Sequence, residues 1–366
     1  MKSIKAKRAY LVLADATVFI GYSMGAVGQT IGEVVFNTCS ASYQSILSDP
    51  TYYGQIIAQT YPLVGNRGAE NEDNNTRITA NGYIAREWCD TPSDIQGGMT
   101  LDEYLKAHNI VGIYGIDTRR LTRTLRDKGY FNGAITQSLN DFDNLIKKIK
   151  SYSIHGAVSS VTVKEPVVLK TEDSIYNVVI IDYGFPRTLQ DSFIKRKCRL
   201  NIVPAHTSPE EILKLNPEGI VFSNGPGDPD DDPALIKNIK VLLSKKIPSF
   251  GMGVGHQMMV LACGGLVEKM PKGHRGSNQP VRICGTDKVM VTMQNHGYDV
   301  AQGSLHEDVA RIMLTNVNDN SIEGLYYTAF PGLSIQFTPN DTSPNSETAW
   351  VYDEFIRLMK EGKSNE

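Results

Sequence analysis

The sequence lacks any run of eighteen apolar residues, which is the length that a membrane-spanning helix requires. It also lacks an excess of charge of either sign, since 37 basic and 40 acidic residues leave a net charge of -3. Neither a nucleic acid nor a membrane surface is therefore the expected partner. With 366 residues and 41% hydrophobic content, the chain is long enough for two domains that each bury a core.

Cysteines are few and scattered, and no C-x-x-C or Cys/His grouping typical of metal sites is present. Because their number is odd and their spacing wide, we expect no metal site and a reducing, cytoplasmic location. Residues 1–8 include four basic residues and precede an apolar run. Asp15 interrupts this run, and no small-residue cleavage site follows it. This start is interpreted as the entry to a strand and not as a secretion signal.

Residues 1–151 mix short β-rich runs, such as 10–13 and 33–36, with turns and a few helices, so a mixed α+β domain is predicted. The segment 117–126 is a basic helix whose arginines lie beside a stripe formed by Leu121 and Leu125. Two interpretations of these arginines stay open. They form either the solvated face of a packed helix or a subunit contact.

A Ser/Val/Lys/Glu-rich connector is predicted at 152–174, and a second domain at 175–366. In this domain, apolar runs that predict buried strands alternate with helical segments. The strands are 176–184, 200–203, 219–223 and 248–251, and the helices are 191–197, 209–215 and 233–243. This alternation predicts a doubly wound α/β sheet whose ligands lie at the carboxyl ends of the strands.

Two glycine-rich loops follow predicted strands. In the loop 223–229, Gly225 and Gly227 allow either close approach of backbone N–H groups to a ligand or a plain turn. The segment 250–257 has glycine at every second position and has the form of a nucleophile elbow, but its middle residue, Gly253, has no side chain. A dinucleotide-binding fingerprint is disfavoured, because His256 stands where that pattern requires glycine.

The third region joins residues 294–298 with the late loop 334–341. His296 is interpreted either as a base or as a structural hydrogen-bonding residue. No Cys-His-Glu or Ser-His-Asp set is apparent in the sequence.

Taken in this order, the loops resemble a class I glutamine amidotransferase domain, and the preceding part resembles the amino-terminal domain of carbamoyl phosphate synthetase small subunits. The resemblance covers nearly the whole chain. It is carried by the segments 32–38, 43–52, 60–66, 116–119, 223–229, 251–257, 273–281 and 294–297. It implies an α/β protein, with a mixed α+β domain followed by a doubly wound, flavodoxin-like amidotransferase domain.

In that family a cysteine in Gly-x-Cys-x-Gly-His-Gln attacks glutamine, and a His-Pro-Glu segment supplies the base and its orienting carboxylate. The matching residues here are Gly253 at the elbow and Thr338 and Asn340 in the late loop. The resemblance therefore implies that glutaminase activity is absent. Cys263 lies ten residues beyond Gly253, about 15 Å along a helix, which is too far to replace the nucleophile.

The positions that hold glutamine in the family are mostly retained. They are Thr51, Gly225, Gly227, Val254, Gln257, Asn295, Gly297 and Tyr298. The family usually has Ser in place of Thr51 and Leu in place of Val254, and it often has Phe in place of Tyr298. A pocket without its nucleophile is therefore expected, with L-glutamine as its ligand. Glycine at the elbow also avoids a strained conformation that costs other residues about 1–3 kcal/mol.

The resemblance implies a partner, the large synthetase subunit, which makes carbamoyl phosphate from bicarbonate, ATP and ammonia. No cofactor is expected in this chain, because ATP and Mg would bind the large subunit. Two other functions stay open: a stand-alone glutamine-binding sensor and a working amidotransferase with unorthodox residues. The pathway served, arginine or pyrimidine synthesis, is also left open.

Overall fold

The computed structural model describes residues 7–39, 43–69, 78–93, 98–129, 131–186, 189–341 and 346–364. The chain divides into two compact units, Met1–Ile154 and His155–Glu366. Residues 1–6, interpreted as the entry to a strand, lie outside the described residues, and the first strand begins at Arg8. Within the described ranges, no helix is long and apolar enough to cross a membrane.

The first unit is built on a closed seven-stranded barrel. Its barrel strands are β1 (Arg8–Leu13), β2 (Val18–Gly25), β3 (Thr30–Asn37), β4 (Gln55–Gln59), β6 (Gly82–Ala85), β8 (Val111–Tyr114) and β9 (Phe131–Thr136). A separate pair is formed by β5 (Leu63–Val64) and β7 (Glu87–Trp88). The helices are α1 (Tyr43–Ser48), α2 (Leu101–Ala107), α3 (Thr118–Lys128) and α4 (Phe142–Ser151), with a 3-10 turn at Pro50–Tyr52.

The strand order of the barrel is β1-β2-β8-β6-β4-β3-β9, and antiparallel pairing of β1 with β9 closes it. Three of its pairings, β3 with β4, β4 with β6 and β6 with β8, are parallel. The predicted mixed α+β domain is therefore confirmed, and no barrel strand leaves an unpaired edge.

The basic helix predicted at 117–126 is confirmed as α3. Asp117 caps it by accepting a hydrogen bond from the amide of Arg120, at 2.9 Å. Leu121 and Leu125 are buried in the same hydrophobic cluster as Leu11 of β1. The helix thus packs on the barrel through one face, and its arginines lie on the other.

The second unit contains one ten-stranded sheet. Its strands are β10 (Val167–Leu169), β11 (Tyr176–Asp182), β12 (Cys198–Pro204), β13 (Gly219–Phe222), β14 (Ser249–Met252), β15 (Val267–Ile283), β16 (Val289–Val300), β17 (Ala310–Asn316), β18 (Ile322–Tyr327) and β19 (Gly332–Ile335). Its helices are α5 (Ala157–Val161), α6 (Gln190–Ile194), α7 (Pro209–Lys214), α8 (Pro233–Leu243), α9 (Val254–Ala262) and α10 (Trp350–Ser364).

The strands β12-β11-β13-β14-β19 form a parallel sheet, and antiparallel strands extend it on both sides. On β11, Val178 and Ile180 face a cluster that includes side chains of α6 and α10. Val179 and Ile181 face the opposite cluster, with side chains of α7, α8 and α9. Because helices cover both faces of the parallel strands, the predicted doubly wound fold is confirmed.

The segment 152–174, predicted as a connector, differs from that expectation because it contains α5 and β10. Strand β10 pairs antiparallel with β12, where Val168 lies opposite Asn201. Strand β12 is the outermost of the parallel strands, and β10 pairs with backbone groups on its outer side. From His155 onward the segment therefore belongs to the second unit, and β10 is part of its sheet.

Candidate functional site

Gly253 lies at the tip of the turn between β14 and α9. Its backbone angles, φ +52° and ψ −115°, lie in a region that other residues rarely adopt. Its amide donates to the carbonyl oxygen of Ile335 at 2.9 Å, and its carbonyl accepts from the amide of Gln257 at 3.2 Å. The turn is thus held on one side by the end of β19 and on the other by the first turn of α9.

Close approach of backbone segments explains the repeated glycines of the elbow. A Cβ atom on Gly255 would lie 2.2 Å from the carbonyl oxygen of Phe222, and one on Gly253 would lie 2.9 Å from the Cβ of Asn224. The amide of Gly255 also donates to the carbonyl of Ser223 at 3.1 Å. The elbow is therefore packed directly against the loop that follows β13.

The loop 223–229 is held in the same way. Ser223 accepts a hydrogen bond from the amide of Tyr183 at 2.9 Å, and a Cβ on Gly225 would lie only 2.1 Å from the carbonyl oxygen of Tyr183. Gly227 has φ +92°, and a Cβ there would lie 2.9 Å from the Cβ of Ala157. Packing within the protein is thus enough to explain why both positions are glycine.

Gln257 connects three elements around the elbow. Its side chain is buried, and its Nε2 donates to the carbonyl of Tyr298 and to Oε1 of Gln336, both at 2.9 Å. The hydroxyl of Tyr298 in turn donates to Oδ2 of Asp228 at 2.8 Å. The start of α9, strand β16, the loop 223–229 and the loop after β19 are therefore joined by hydrogen bonds.

The late loop places Thr338 and Asn340 differently. Thr338 is half-buried, and its amide donates to the carbonyl of Met293 at 3.0 Å. Asn340 is exposed, and its amide donates to the hydroxyl of Thr348 at 2.9 Å. Since Gly253 bonds Ile335, which lies three residues before Thr338, this loop follows directly from the segment beside the elbow.

The remaining predicted positions contribute in separate ways. The side chain of Val254 is buried in the core, so only its backbone is available, and as the first residue of α9 its N–H has no acceptor within the helix. Asn295 and Gly297 are half-buried residues of β16, close in sequence to Tyr298. Thr51 belongs to the other unit, where its hydroxyl donates to Oδ1 of Asp49 at 2.8 Å.

A buried polar cluster of His274, His296 and Glu323 lies in the antiparallel part of the sheet, and its donor atoms are within 4.8 Å of one another. Glu323 is completely buried and accepts from Nε2 of Gln294 at 2.8 Å. His274 lies between two carboxylates, with Nδ1 at 3.3 Å from Glu323 and Nε2 at 2.8 Å from Asp319. A metal ion bound by all three members would displace these bonds.

The two histidines of the cluster have opposite pKa shifts. Burial lowers the pKa of His274, but its hydrogen bonds to Asp319 and Glu323 raise it more, to about 9. Burial lowers the pKa of His296 to about 4. Both ring nitrogens of His296 have partners, since Nδ1 lies 2.8 Å from the carbonyl oxygen of Tyr298 and Nε2 lies 3.1 Å from Oε1 of Gln294. These contacts favour the structural interpretation of His296 over that of a base.

No role for His274, Glu323 or Asp319 is predicted from the sequence. Glu323 lies in strand β18, where its neighbours Ile322 and Leu325 are buried. A single carboxylate in the sequence of a buried strand indicates that the folded protein pairs it with a cation. Burying a carboxylate without such a partner would cost several kcal/mol of folding free energy.

The comparisons with known proteins cover both units. A family model described as "Carbamoyl-phosphate synthase small chain, CPSase domain" matches residues 11–135, and one described as "Glutamine amidotransferase class-I" matches residues 179–358. The carbamoyl phosphate synthase pyrimidine-specific small chain of Bacillus subtilis (strain 168) is 42% identical over 362 residues, covering 97% of this chain and 98% of that one.

Two further relatives match over similar lengths. The pyrimidine-specific small chain of Halalkalibacterium halodurans is 41% identical over 356 residues, with 96% of this chain and 97% of that one covered. The carbamoyl phosphate synthase small chain of Staphylococcus haemolyticus is 39% identical, with 98% of each chain covered. The chain therefore belongs to the carbamoyl phosphate synthase small-chain family.

Proposed function

We propose that this small chain binds the large subunit of a carbamoyl phosphate synthase and retains a glutamine pocket, but does not hydrolyse glutamine. The observation that carries the proposal is Gly253, which has no side chain at the tip of the elbow and occupies a conformation suited to glycine. Amide hydrolysis of this type needs a nucleophile at that point, within hydrogen-bond reach of a base.

The residues that could be considered as replacements do not supply the missing groups. Thr338 and Asn340 offer a hydroxyl and an amide, neither of which takes up a proton near neutral pH. Cys263 follows the end of α9, and burial raises the pKa of its thiol to about 11, so it is not a thiolate at neutral pH. Burial lowers the pKa of His256 to about 3, and its Nδ1 already contacts Ser334 at 2.6 Å.

Two buried polar atoms, on residues whose neighbouring atoms border Gly253, support retention of the pocket. Asn224 Oδ1 and Gln336 Nε2 have no hydrogen-bond partner among the residues that the structure describes. Both residues border the elbow, since a Cβ on Gly253 would lie 2.9 Å from the Cβ of Asn224 and 3.9 Å from the carbonyl oxygen of Gln336. One acceptor and one donor match the NH₂ and C=O of a carboxamide, the group that distinguishes glutamine.

The first unit favours the synthase role over a stand-alone glutamine sensor. Its match to the small-chain domain extends over residues 11–135, and the match to the Halalkalibacterium halodurans chain covers 96% of this chain, which includes most of both units. In the proposed complex, ATP and Mg bind the large subunit, ammonia comes from solution, and this chain contributes no cofactor. All five cysteines of the chain are free thiols, which is compatible with the cytoplasm as the site of action.

The test is carbamoyl phosphate formation by this chain with its cognate large subunit, supplied with glutamine or with ammonium. We expect synthesis from ammonium, and a glutamine-dependent rate lower by about a million-fold than that of an intact amidotransferase. Robust synthesis from glutamine by the unmodified chain would contradict the proposal.

A matched pair of variants sharpens this test. The triple variant Gly253→Cys, Thr338→His, Asn340→Glu supplies all three groups, and we expect it to gain a measurable glutaminase rate. The double variant Thr338→His, Asn340→Glu has the base without the thiol and should stay inactive. Equal rates for the two variants would mean that position 253 is not where a nucleophile acts.

A further inference from the structure

Arginine side chains line an open cleft on the first unit, with a volume of about 600 Å³. We call it the arginine cleft and define it by Arg86, Arg119, Arg123 and Arg126, together with Thr60 and Pro62. All four arginines are exposed. The proposed function makes no use of this cleft.

The fold places these side chains together for simple reasons. Arg119, Arg123 and Arg126 are spaced i, i+4 and i+7 on α3 and therefore share one face of the helix. Arg86 follows β6, and its carbonyl accepts from the amide of Gly115 at 2.9 Å, three residues before α3 begins. The backbone thus holds Arg86 beside the start of the helix.

The charges of the cleft are poorly compensated within the unit. Over the described part of the chain, the side chains of Arg86, Arg119 and Arg123 form no ion pair, and Arg126 pairs only with its neighbour Asp127, at 3.1 Å. The nearest acidic residue at the start of α3 is its cap, Asp117, whose carboxylate accepts from the amide of Arg120, and no acidic residue follows in the first turn of the helix. Arg119 and Arg123 also repel each other at i, i+4. Carboxylates from outside the unit would relieve these costs.

The rim of the cleft has the composition of a protein interface. Tyr61 and Leu63, which flank Pro62, are 45% and 37% exposed. The carbonyl of Pro62 accepts from the amide of Glu87 at 3.0 Å, so this rim lies next to Arg86. Arginine and tyrosine are enriched at interfaces, and exposed guanidinium groups suit a protein surface better than an enclosed small-molecule pocket.

We propose that the arginine cleft docks an acidic segment of the large subunit. This inference rests on the proposed function for the identity of the partner, and on charge complementarity for the chemistry of the segment. Arginine forks bind carboxylates bidentately, so the segment would supply Asp or Glu side chains to Arg119 and Arg123 in particular.

The test compares binding of full-length variants to the immobilised cognate large subunit at low and high salt. Arg119→Gln/Arg123→Gln removes two charges, and Arg119→Glu/Arg123→Glu reverses them. Lys147→Glu/Lys148→Glu, on exposed residues of α4 in the same unit, is the matched control. We expect Kd to rise on the order of tenfold for the glutamine pair and more for the glutamate pair, with little change for the control.

A second measurement separates docking from folding. Because the charges of Arg119 and Arg123 repel each other, the glutamine pair should melt at the same temperature as the parent or higher, while binding the large subunit more weakly. Binding of the glutamine pair to the large subunit should also depend less on salt concentration than binding of the parent does.

Other results would overturn the inference. If the parent binds the large subunit and the arginine variants bind equally well, the docking site is wrong while the proposed function stands. If the parent does not bind the large subunit, the docking site and the proposed function are both wrong. If inorganic phosphate raises the melting temperature of the parent but not of the glutamine pair, and binding to the large subunit is unchanged, the cleft is a small-anion site instead.

Discussion

The amide nitrogen of Gly253 lies 2.9 Å from the carbonyl oxygen of Ile335. This contact joins the elbow to the strand that leads to Thr338, and it involves only backbone atoms. The relative placement of the two segments therefore does not depend on which side chains stand at 253 and 338. In this chain the two segments are held together with glycine at 253 and threonine at 338.

Restoring a side chain at the elbow should destabilise the fold. Gly253→Ala should lower the free energy of unfolding by about 1–3 kcal/mol, because of φ +52° and because its Cβ would crowd Asn224. The measurement is urea unfolding. Gly264→Ala is the control for backbone strain alone, since Gly264 has φ +85° and nothing within 4 Å of its Cβ position. A Gly253 variant more stable than the parent would contradict this.

Removing the hydroxyl of Tyr298 should loosen the loop that carries Gly227. Tyr298→Phe loses the 2.8 Å hydrogen bond to Asp228, with an expected cost of about 1 kcal/mol and a several-fold weaker affinity for glutamine. Calorimetric titration with glutamine measures the second effect. Tyr326→Phe makes the same chemical change where the hydroxyl accepts from exposed Arg357, and it should leave glutamine binding unchanged.

Asn224 should matter for glutamine binding more than for stability. Its buried Oδ1 has no partner in the described structure, so Asn224→Ala removes an unsatisfied acceptor and should change the free energy of unfolding by less than about 1 kcal/mol. Glutamine affinity should nevertheless fall roughly tenfold, a loss of about 1.4 kcal/mol.

A second asparagine provides the converse control. Asn201 is buried, and its Nδ2 donates to Oδ1 of Asn177 at 2.7 Å. Asn201→Ala should therefore reduce stability without affecting the affinity for glutamine. If Asn224→Ala binds glutamine as tightly as the parent, the carboxamide does not contact Asn224.

Stability should fall as pH rises above neutrality, because of His274. Its pKa is raised from about 6.5 to about 9 in the folded chain, so its contribution is complete below pH 6.5 and is lost as pH rises towards 9. Between pH 6.5 and 8 the folded chain binds up to one more proton than the unfolded chain does. The free energy of unfolding should therefore change with a slope approaching about −1.4 kcal/mol per pH unit.

Urea unfolding at several pH values measures this slope. His274→Gln should remove the slope above pH 7, whereas burial raises the pKa of Asp299 to about 7 and keeps a smaller slope below that pH. The variant is expected to be less stable at pH 6.5 because Glu323 and Asp319 lose their cation. His306→Gln, a change on an exposed side chain, is the control and should keep the slope of the parent. Parallel pH profiles for the parent and His274→Gln would show that His274 is not the titrating group.

Local signals in the sequence predicted much of the second unit. Helix α8 extends over the predicted range, Pro233–Leu243, and its start is marked in the sequence by the cap Asp232 and by Pro233. Strand β11 was identified from its unbroken apolar run, which is what burial on both faces requires. These elements depend on residues that are close together in the chain.

Features that depend on distant residues were not predicted. Strand β15 contains Pro271 and alternates poorly between buried and exposed positions, so its hairpin with β16 has no local signature. The ion pair of His274 with Glu323 joins residues that are far apart in sequence. The predicted glutamine positions include Thr51, which belongs to a different unit from the others, and their assignment stays a prediction.

Closure of the barrel has a consequence for folding during synthesis on the ribosome. Strand β1 at residues 8–13 pairs with β9, whose residues 133–136 emerge from the ribosome more than a hundred residues later. Until then, β1 and β3 each lack a neighbour and present open edges on which other nascent chains can pair. Chains that terminate before residue 131 should therefore aggregate, whereas the completed first unit should remain dispersed during translation of the second.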